Sequence, residues 1–308
     1  MDVHYTWIGE PPTDRTKDID APRRLATRCS GQGIKIYFWC LDAHVATYQR
    51  DFASHKNVTV RGIQSFLGAA TGRAYRWYYW YSESDDWAVA AMTDILTWGL
   101  DAATPRSYRA FVKDAWSLFL MYTWGGYVMD AGVGPIDGGT FSLPEPKTFM
   151  APTLNEVDSL GMWRIQLSQL AGWQGQGDVT LNVSAAGSVC EAMNYTLPDE
   201  NYAMEMCSLI EVWMLASPRY SKGAWAALKQ YCVFWKGMQQ HDSLVGDGAP
   251  NVFRYLIAGS VYNGLSHGHG KKAPKTSLWS CTSAGQGSSS VDVTKLKLRK
   301  TYHGSSAK

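Results

Sequence analysis

The sequence carries no marked excess of charge of either sign. Its 29 lysines and arginines are nearly balanced by 27 aspartates and glutamates, which leaves a net charge of +2 over 308 residues. A protein whose main partner is nucleic acid concentrates lysine and arginine on one face or stripe. Because no such concentration is visible here, we expect no nucleic-acid partner.

Long hydrophobic runs are missing as well. The longest, from Trp116 to Trp124, falls far short of the roughly 20 apolar residues that a membrane-spanning helix requires. The first residues lack the basic stretch and apolar run of a Sec-type signal. We therefore expect no transmembrane segment, and a protein that either stays in the cytoplasm or is exported as an effector by a route without a Sec signal.

Cysteine is too sparse and too scattered to predict a disulfide framework. The chain contains no Cys-x-x-Cys pair, and this spacing favours reduced, buried thiols over disulfides or a zinc site. The six cysteines are Cys29, Cys40, Cys190, Cys207, Cys232 and Cys281.

What the sequence does have is material for a large core. Hydrophobic residues make up 45% of it, and they include 14 tryptophans. That fraction is typical of a globular protein, and the length is enough to bury a sizeable core. We expect most of the tryptophans in the core, although such rings also cover flat ligands and sugar faces.

The N-terminal part alternates between strand patterns and helical segments. Strands are predicted over "VHYTWIG", "IKIYFWC" and "NVTVRGI", with helices from Asp20 and over Leu41–Ser54 between them. This β-α-β-α-β order predicts an α/β fold with a mostly parallel central sheet and helices on both faces. Ligands of such sheets bind beyond the carboxyl ends of the strands, so the loop after "VHYTWIG" is a candidate binding edge.

Two long helices are predicted next, over Asp86–Leu100 and Pro105–Trp124, and "GGYVMDAG" then predicts a strand. A strand is predicted in "TLNVSAAG", and helices over 186–196, 202–215 and 221–238. We predict one domain over residues 1–282, followed by a flexible Ser/Gly linker and basic tail over 283–308. Within that tail, residues 291–300 are either a small edge strand or a free basic segment.

The segment "GGYVMDAG" brings a single carboxylate, Asp130, to the end of a short strand after a glycine turn. A carboxylate at the carboxyl end of a central strand is well placed to hold a divalent cation or a ribose hydroxyl. An aspartate there can equally be a helix N-cap or a turn residue. The spacing alone leaves both interpretations open.

The longer run "KDAWSLFLMYTWGGYVMDAG" resembles the nucleotide-sugar core of glycosyltransferases with an Asp-x-Asp motif. That group includes the DxD sugar-binding-region family and the catalytic domains of the large clostridial glucosylating toxins. "VHYTWIG" is similar to the family's first strand, "TSLWS" to its Ser-x-Trp element, and "TLNVSAAGSVCEAM" to the segment that cradles the sugar. The resemblance implies a GT-A-like fold.

The resemblance also implies roles for individual residues. Asp114 and Asp130 would be the catalytic carboxylates, and Asp130 with Ser277 would hold Mn²⁺ or Mg²⁺. Trp7 would border the nucleotide base, and Ser277 and Trp279 would touch the diphosphate from a mobile loop. The implied substrate-binding residues are Trp7, Asp114, Tyr127, Asp130, Asn182, Ser277 and Trp279.

Two positions depart from the family's pattern. Gly132 stands where the family has the second aspartate of the motif, and Ser117 stands where it has an arginine. In the family the aspartate holds the metal ion that offsets negative charge on the leaving phosphate, and the arginine adds to that offset. Three outcomes are therefore open: other ligands complete a metal shell, lysines neutralise the leaving group, or the site binds nothing productive.

Several loop residues are candidates for these replacements. The candidate ligands are His267, His269, Asp137 and Asp247, and the candidate cations are Lys271, Lys272 and Lys275. Arg106 and Arg109 are expected on a solvated helix face, and His241-Asp242 is expected to be a turn rather than a general-base pair.

Two functions of different class follow from the resemblance. The first is a hexosyltransferase that moves a sugar from a nucleotide-sugar donor, UDP-linked by the family's pattern, to a protein or glycan acceptor. The second is a catalytically inactive relative that keeps the fold as a nucleotide- or protein-binding module. The retained Trp7, Asp114 and Asp130 favour the enzyme, whereas Gly132 and Ser117 favour the module.

Overall fold

The structure is a computed structural model that describes two β-sheets and the helices packed against them. The described residues are 1–71, 83–102, 104, 106–138, 141–154, 212–240, 257, 260–261, 263–265, 278–283 and 290–301. No helix in these ranges is both long enough and apolar enough to cross a bilayer.

The described strands are β1 (Asp2–Trp7), β2 (Lys35–Cys40), β3 (Val58–Gly62), β4 (Gly126–Met129), β5 (Val133–Pro135), β6 (Ala151–Leu154), β7 (Met214–Ser217), β8 (Leu278–Ser283), β9 (Ser290–Val293) and β10 (Leu298–Thr301). The described helices are α1 (Asp20–Arg28), α2 (Val45–Asp51), α3 (Ile63–Thr71), α4 (Glu83–Leu100), α5 (Arg109–Thr123) and α6 (Lys222–Gln240).

The central sheet has the strand order β3-β2-β1-β4-β7. Strands β1 to β4 are parallel, and only β7 runs antiparallel, against β4. Helices α1 and α2 cover one face through Leu25 and Tyr48, whereas α3, α4, α5 and α6 cover the other. The α/β class, the mostly parallel sheet and the helices on both faces are thus confirmed.

A second sheet has the order β5-β10-β9-β8-β6. Its C-terminal strands β9 and β10 come from the segment that the sequence assigned to linker and tail, and β8 runs across residue 282. Of the two alternatives for residues 291–300, the structure shows strands, because β10 pairs with both β9 and β5.

Other local predictions are corrected by strand pairing. The end of the helix predicted over 202–215 is strand β7, whose four residues are all buried and pair with β4. The segment around Trp279, expected in a mobile loop, is strand β8, paired with β6 and β9. A segment whose consecutive residues are all buried is typical of a strand covered on both faces, whereas a helix at the surface of a domain exposes one side.

Three cysteines are reduced and buried, as the spacing predicts. They are Cys29, Cys40 and Cys232. Burial raises the pKa of both Cys29 and Cys40 to about 12, so these thiols are protonated and unreactive at neutral pH.

The glycine turn between α5 and β4 is held by close backbone contacts. Gly125 and Gly126 have φ values of +70° and +82°. A Cβ on Gly126 would lie 2.2 Å from the Asp2 carbonyl oxygen, and one on Gly125 would lie 2.5 Å from the Arg219 amide nitrogen. Glycine is therefore required at both positions, which end α5 and start β4 next to β1.

His4 of β1 fixes the same turn from beneath. Its ring accepts a hydrogen bond from the Trp39 indole at Nδ1 (3.1 Å) and donates from Nε2 to the Gly125 carbonyl (3.2 Å). The bond that Nδ1 accepts from Trp39 requires the neutral ring. Burial lowers the pKa of His4 to about 3, the bond to Gly125 works against this, and the charge of Arg61 adds to it.

Replacement of Gly126 by alanine should destabilise the protein by more than about 3 kcal/mol, since a positive φ costs about 1–2 kcal/mol and the backbone clash adds to it. Gly31 is the matched control: its φ is +80° and a Cβ there meets nothing within 4 Å. Gly31→Ala should cost about 1 kcal/mol in urea denaturation. Equal losses in both variants would show that the clash is not real.

The His4 ring predicts a loss of stability in mild acid. Its pKa is about 3 in the folded protein against 6.5 ordinarily, so the unfolded chain binds the proton first as the pH falls below 6.5. The free energy of unfolding should fall by about 2 kcal/mol from this group between pH 7 and pH 5. The advantage of the wild type over His4→Gln should shrink by that amount, and a constant difference would refute the assignment.

Candidate functional site

The four parallel strands end at one edge of the central sheet. In the register of the sheet, Trp7 pairs with Cys40, Cys40 with Gly62, and Tyr5 with Met129. Residues directly after these strands therefore gather at the carboxyl edge, where ligands of such sheets bind. Asp130 follows β4 at this edge, as the sequence predicted.

Asp130 is held there by two lysines from different parts of the fold. Lys113 Nζ on α5 lies 2.5 Å from Asp130 Oδ1, and Lys300 Nζ on β10 lies 2.8 Å from Asp130 Oδ2. Lys113 Nζ also lies 3.1 Å from Asp114 Oδ1. We call these four residues, Lys113, Asp114, Asp130 and Lys300, the charged cluster. Their side chains are between 15% and 24% exposed, so the cluster is accessible to a ligand.

The two carboxylates of the charged cluster are shifted in opposite directions. Burial by itself raises the pKa of Asp130, but Lys113 and Lys300 outweigh it and bring the pKa down to about 2. The pKa of Asp114 is raised, mainly by burial. The charge of Lys113 lowers this pKa but does not cancel the effect of burial, and the charge of Asp130 raises it further. Burial also opposes the Lys113 ammonium, yet Asp114 and Asp130 raise its pKa above the ordinary value.

Both sheets fix the turn that carries Asp130. The Asp130 amide donates to the Trp213 carbonyl (2.8 Å), and the Val133 amide donates to the Asp130 carbonyl (2.9 Å). The Thr301 amide on β10 donates to the Gly132 carbonyl (3.1 Å). Lys300 reaches Asp130 because β10 runs beside β5 in this register, with Lys300 opposite Val133.

Neither Gly132 nor Ser117 supplies a side chain that could replace the aspartate or the arginine of the family's pattern. Gly132 has no side chain to offer, and only its carbonyl is bound, to Thr301. Ser117 is 6% exposed, and its hydroxyl donates to the Lys113 carbonyl one helical turn back (2.9 Å). The Ser117 hydroxyl is therefore bonded within α5 and presents no group at the sheet edge.

Arg109 lies at the edge, contrary to the expectation of a solvated face, whereas Arg106 is exposed as expected. The Arg109 guanidinium comes within 3.4 Å of where a Cβ on Gly9 would be, in the loop after β1. The same position is 3.9 Å from the Trp7 indole nitrogen, which donates to the Glu10 carbonyl (3.0 Å). Trp7 and Arg109 are thus neighbours beside the β1 loop.

Tyr127 is a core residue rather than a ligand-binding one. Its side chain is fully buried, and its hydroxyl donates to the Pro144 carbonyl (2.7 Å). It packs with Tyr5 and Met129 on the α1–α2 face, whereas the neighbouring Val128 packs on the opposite, α5 face. The alternation of side chains along β4 therefore directs Tyr127 away from Asp130 and Lys113.

The remaining predicted site residues divide into three groups. Trp279 lies in β8, with its backbone opposite Pro152. Asp137 is exposed beyond β5, where its charge acts together with that of Asp292 on Arg299. The residues that lie outside the described part of the chain are Asn182, Ser277, His241, Asp242, Asp247, His267, His269, Lys271, Lys272 and Lys275.

The described residues do not fit a Mn²⁺ or Mg²⁺ site built on Asp130. Each carboxylate oxygen of Asp130 already accepts from an ammonium group, and a cation there would be repelled by Lys113 and Lys300. Among the residues described, no group of three or more histidine, cysteine, aspartate or glutamate side chains is placed to hold a metal ion. Hard divalent cations need several oxygen ligands, which Asp130 alone does not supply.

Sequence reasoning missed both lysines of the charged cluster. Lys113 precedes Asp114 directly, and its position four residues before Ser117 was a usable signal, since residues four apart share a helix face. Lys300 gave no such signal, because 170 residues separate it from Asp130.

Asp130→Asn should lower the free energy of unfolding by about 2 kcal/mol at pH 7, because it removes the charge that two lysines neutralise. Asp130 has a pKa of about 2 against an ordinary 3.8. Its contribution is therefore present above pH 3.8 and is lost as the pH falls through 2. Urea denaturation between pH 7 and pH 2.5 should show the two proteins converging.

Asp114→Asn is the matched control in the same cluster. The pKa of Asp114 is shifted upward, so its ionised form gains nothing from folding. This variant should cost less than half as much as Asp130→Asn at pH 7. Equal losses would contradict the assignment of the two carboxylates.

No family model matches the sequence, and no curated protein matches it. Solved structures with a similar course of the chain include the PaToxG glycosyltransferase (12% identity, 83% of this chain and 68% of that one, TM-score 0.41). A second is the ligand-free glycosyltransferase domain of the YGT toxin (9% identity, 91% of this chain and 79% of that one, TM-score 0.41). A third is mouse xyloside xylosyltransferase 1 in its apo form (10% identity, 88% of this chain and 83% of that one, TM-score 0.35). At these identities and TM-scores, the comparisons assign neither a family nor an activity.

Proposed function

We propose that the protein is a glycosyltransferase of the GT-A type that takes a sugar from a nucleotide-sugar donor, with UDP-linked donors the first to test. The acceptor is a hydroxyl or amide group of a protein or a glycan. The observation that carries the proposal is the position of Asp130 and Asp114 together at the carboxyl edge of a parallel sheet, the edge that also carries Trp7.

The chemistry available at this edge suits such a donor. The Asp114 carboxylate, with its raised pKa, is a hydrogen-bond acceptor for sugar hydroxyls at the entrance to the charged cluster. The Trp7 indole is partly exposed beside the β1 loop and offers a flat surface for a base. The ammonium groups of Lys113 and Lys300 supply positive charge where a diphosphate would lie.

A second candidate is a nucleotide- or protein-binding module without catalytic activity. One observation favours it: Asp130 is locked between two ammonium groups, and Gly132 and Ser117 present nothing to a donor. Such a module would keep affinity for the nucleotide without cleaving the sugar from it. The two candidates differ in turnover, and that difference can be measured directly.

The test follows nucleotide release from UDP-glucose, UDP-GlcNAc and GDP-mannose by the purified chain, with and without Mn²⁺. Slow hydrolysis of at least one donor is expected, and Asp114→Asn should reduce its rate by about 100-fold, since a lost contact to the reacting group costs about 3 kcal/mol. Asp114→Asn is the best variant because it is expected to leave the fold nearly intact.

Asp137→Asn is the matched control, since Asp137 is an exposed carboxylate beyond β5 that forms no ion pair with Lys113 or Lys300. It should retain the wild-type rate. Thermal stabilisation by UDP or GDP without turnover of any donor would favour the binding module. A protein that neither turns over these donors nor is stabilised by either nucleotide would refute both candidates.

A further inference from the structure

The sheet edge holds three cations that point to one ligand chemistry. Arg109 and Lys113 lie four residues apart on α5, so they are neighbours on one helix face. Lys300 reaches the same place from β10 and meets Lys113 at Asp130. Three cations from two elements therefore converge beside the loop after β1, where Arg109 approaches Gly9.

These cations keep hydrogen-bonding capacity that the fold does not use. An ammonium group has three donors and a guanidinium has five. Within the described part of the chain, Lys300 meets one carboxylate and Lys113 meets two, while Arg109 has no ion pair or hydrogen bond. Two donors of Lys300, one of Lys113 and the Arg109 fork are thus available to an anion.

The charges around Asp130 oppose a divalent cation and favour an anion. Lys113 and Lys300 face Asp114 and Asp130, and Arg109 adds a cation that has no carboxylate partner among the described residues. A metal ion at Asp130 would compete with two ammonium groups that are already bound and would be repelled by their charge. A diphosphate, in contrast, would accept hydrogen bonds from all three cations without breaking the Asp130 pairs.

We propose that Arg109, Lys113 and Lys300 bind the diphosphate of a nucleotide and neutralise it without a divalent cation. The inference rests on the proposed function and names how that site handles charge. Ser117 stands where the family has an arginine. Arg109 supplies a guanidinium instead, from the N-terminal end of α5, two helical turns before Ser117. The lysines supply the positive charge that a metal would otherwise bring.

The same groups fit the demands of sugar transfer. The bond between the anomeric carbon and the β-phosphate oxygen breaks, and its electron pair stays on that oxygen. A new bond forms between the anomeric carbon and the acceptor oxygen or nitrogen, whose proton leaves to solvent. The departing diphosphate therefore gains one negative charge, which fixed cations at the sheet edge stabilise.

The experiment is calorimetric titration with inorganic pyrophosphate, UDP and uridine, first in EDTA and then in Mn²⁺. Pyrophosphate reports the charge contacts without any assumption about the base. In EDTA, UDP and pyrophosphate should bind with affinities within about threefold of those in Mn²⁺. Arg109→Gln and Lys300→Gln should each weaken UDP binding about tenfold, the usual effect of one charged hydrogen bond, and leave uridine binding unchanged.

Matched variants separate the charge contacts from general effects. Arg106→Gln and Lys295→Gln remove exposed cations near the same elements and should leave UDP affinity unchanged. Lys300→Arg keeps the charge and should bind UDP within about threefold of the wild type. Thermal denaturation of each variant verifies that the fold is intact before titration.

The outcomes distinguish this inference from the proposed function. Sugar transfer that occurs only with Mn²⁺, together with variants that behave like their controls, would overturn the inference and leave the transferase standing. Absence of pyrophosphate and UDP binding in EDTA would also overturn it. Binding in EDTA that depends on Arg109 and Lys300, without turnover of any donor, would support the anion site and refute the transferase.

Discussion

The pairing of Asp130 with Lys113 and Lys300 is the interaction on which the rest of the site depends. It joins the strand end after β4 to α5 on one side and to β10 on the other, so three separate elements meet at a single carboxylate. Burial opposes the charges of Lys113 and Asp130, and both persist because oppositely charged partners neutralise them. The same pairing that stabilises the edge also decides which ligands it accepts.

The glycine turn explains why one aspartate has so elaborate a support. Gly125 and Gly126 allow α5 to end directly against β1. The chain reverses there, so β4 runs back along α5. Lys113 thereby comes level with the end of β4, three turns before the turn that reverses the chain. His4 holds the Gly125 carbonyl, so a buried neutral ring in β1 sets the position of the carboxylate at the opposite end of β4.

Much of the fold and part of the site could be predicted from sequence patterns. Apart from Lys35, the run "IKIYFWC" is apolar because β2 is covered on both faces, and "GGYVMDAG" carries Asp130 to a strand end as expected. Predictions failed where long-range pairing competes with local preference. Met214 and Leu215 look helical in isolation, yet β4 accepts them as its antiparallel neighbour. Tyr127 resembled a ligand contact, but the alternation of β4 buries it.

The sequence by itself determined the α/β class, the mostly parallel character of the sheet and the delivery of Asp130 to a strand end, because those depend on periodicity and on short turns. Only the tertiary structure decided what surrounds that carboxylate. Lys300 reaches it through the register of β10 on β5, and Arg109 approaches Gly9 through the packing of α5. Such contacts join residues far apart in the chain, and no local pattern encodes the distance between them.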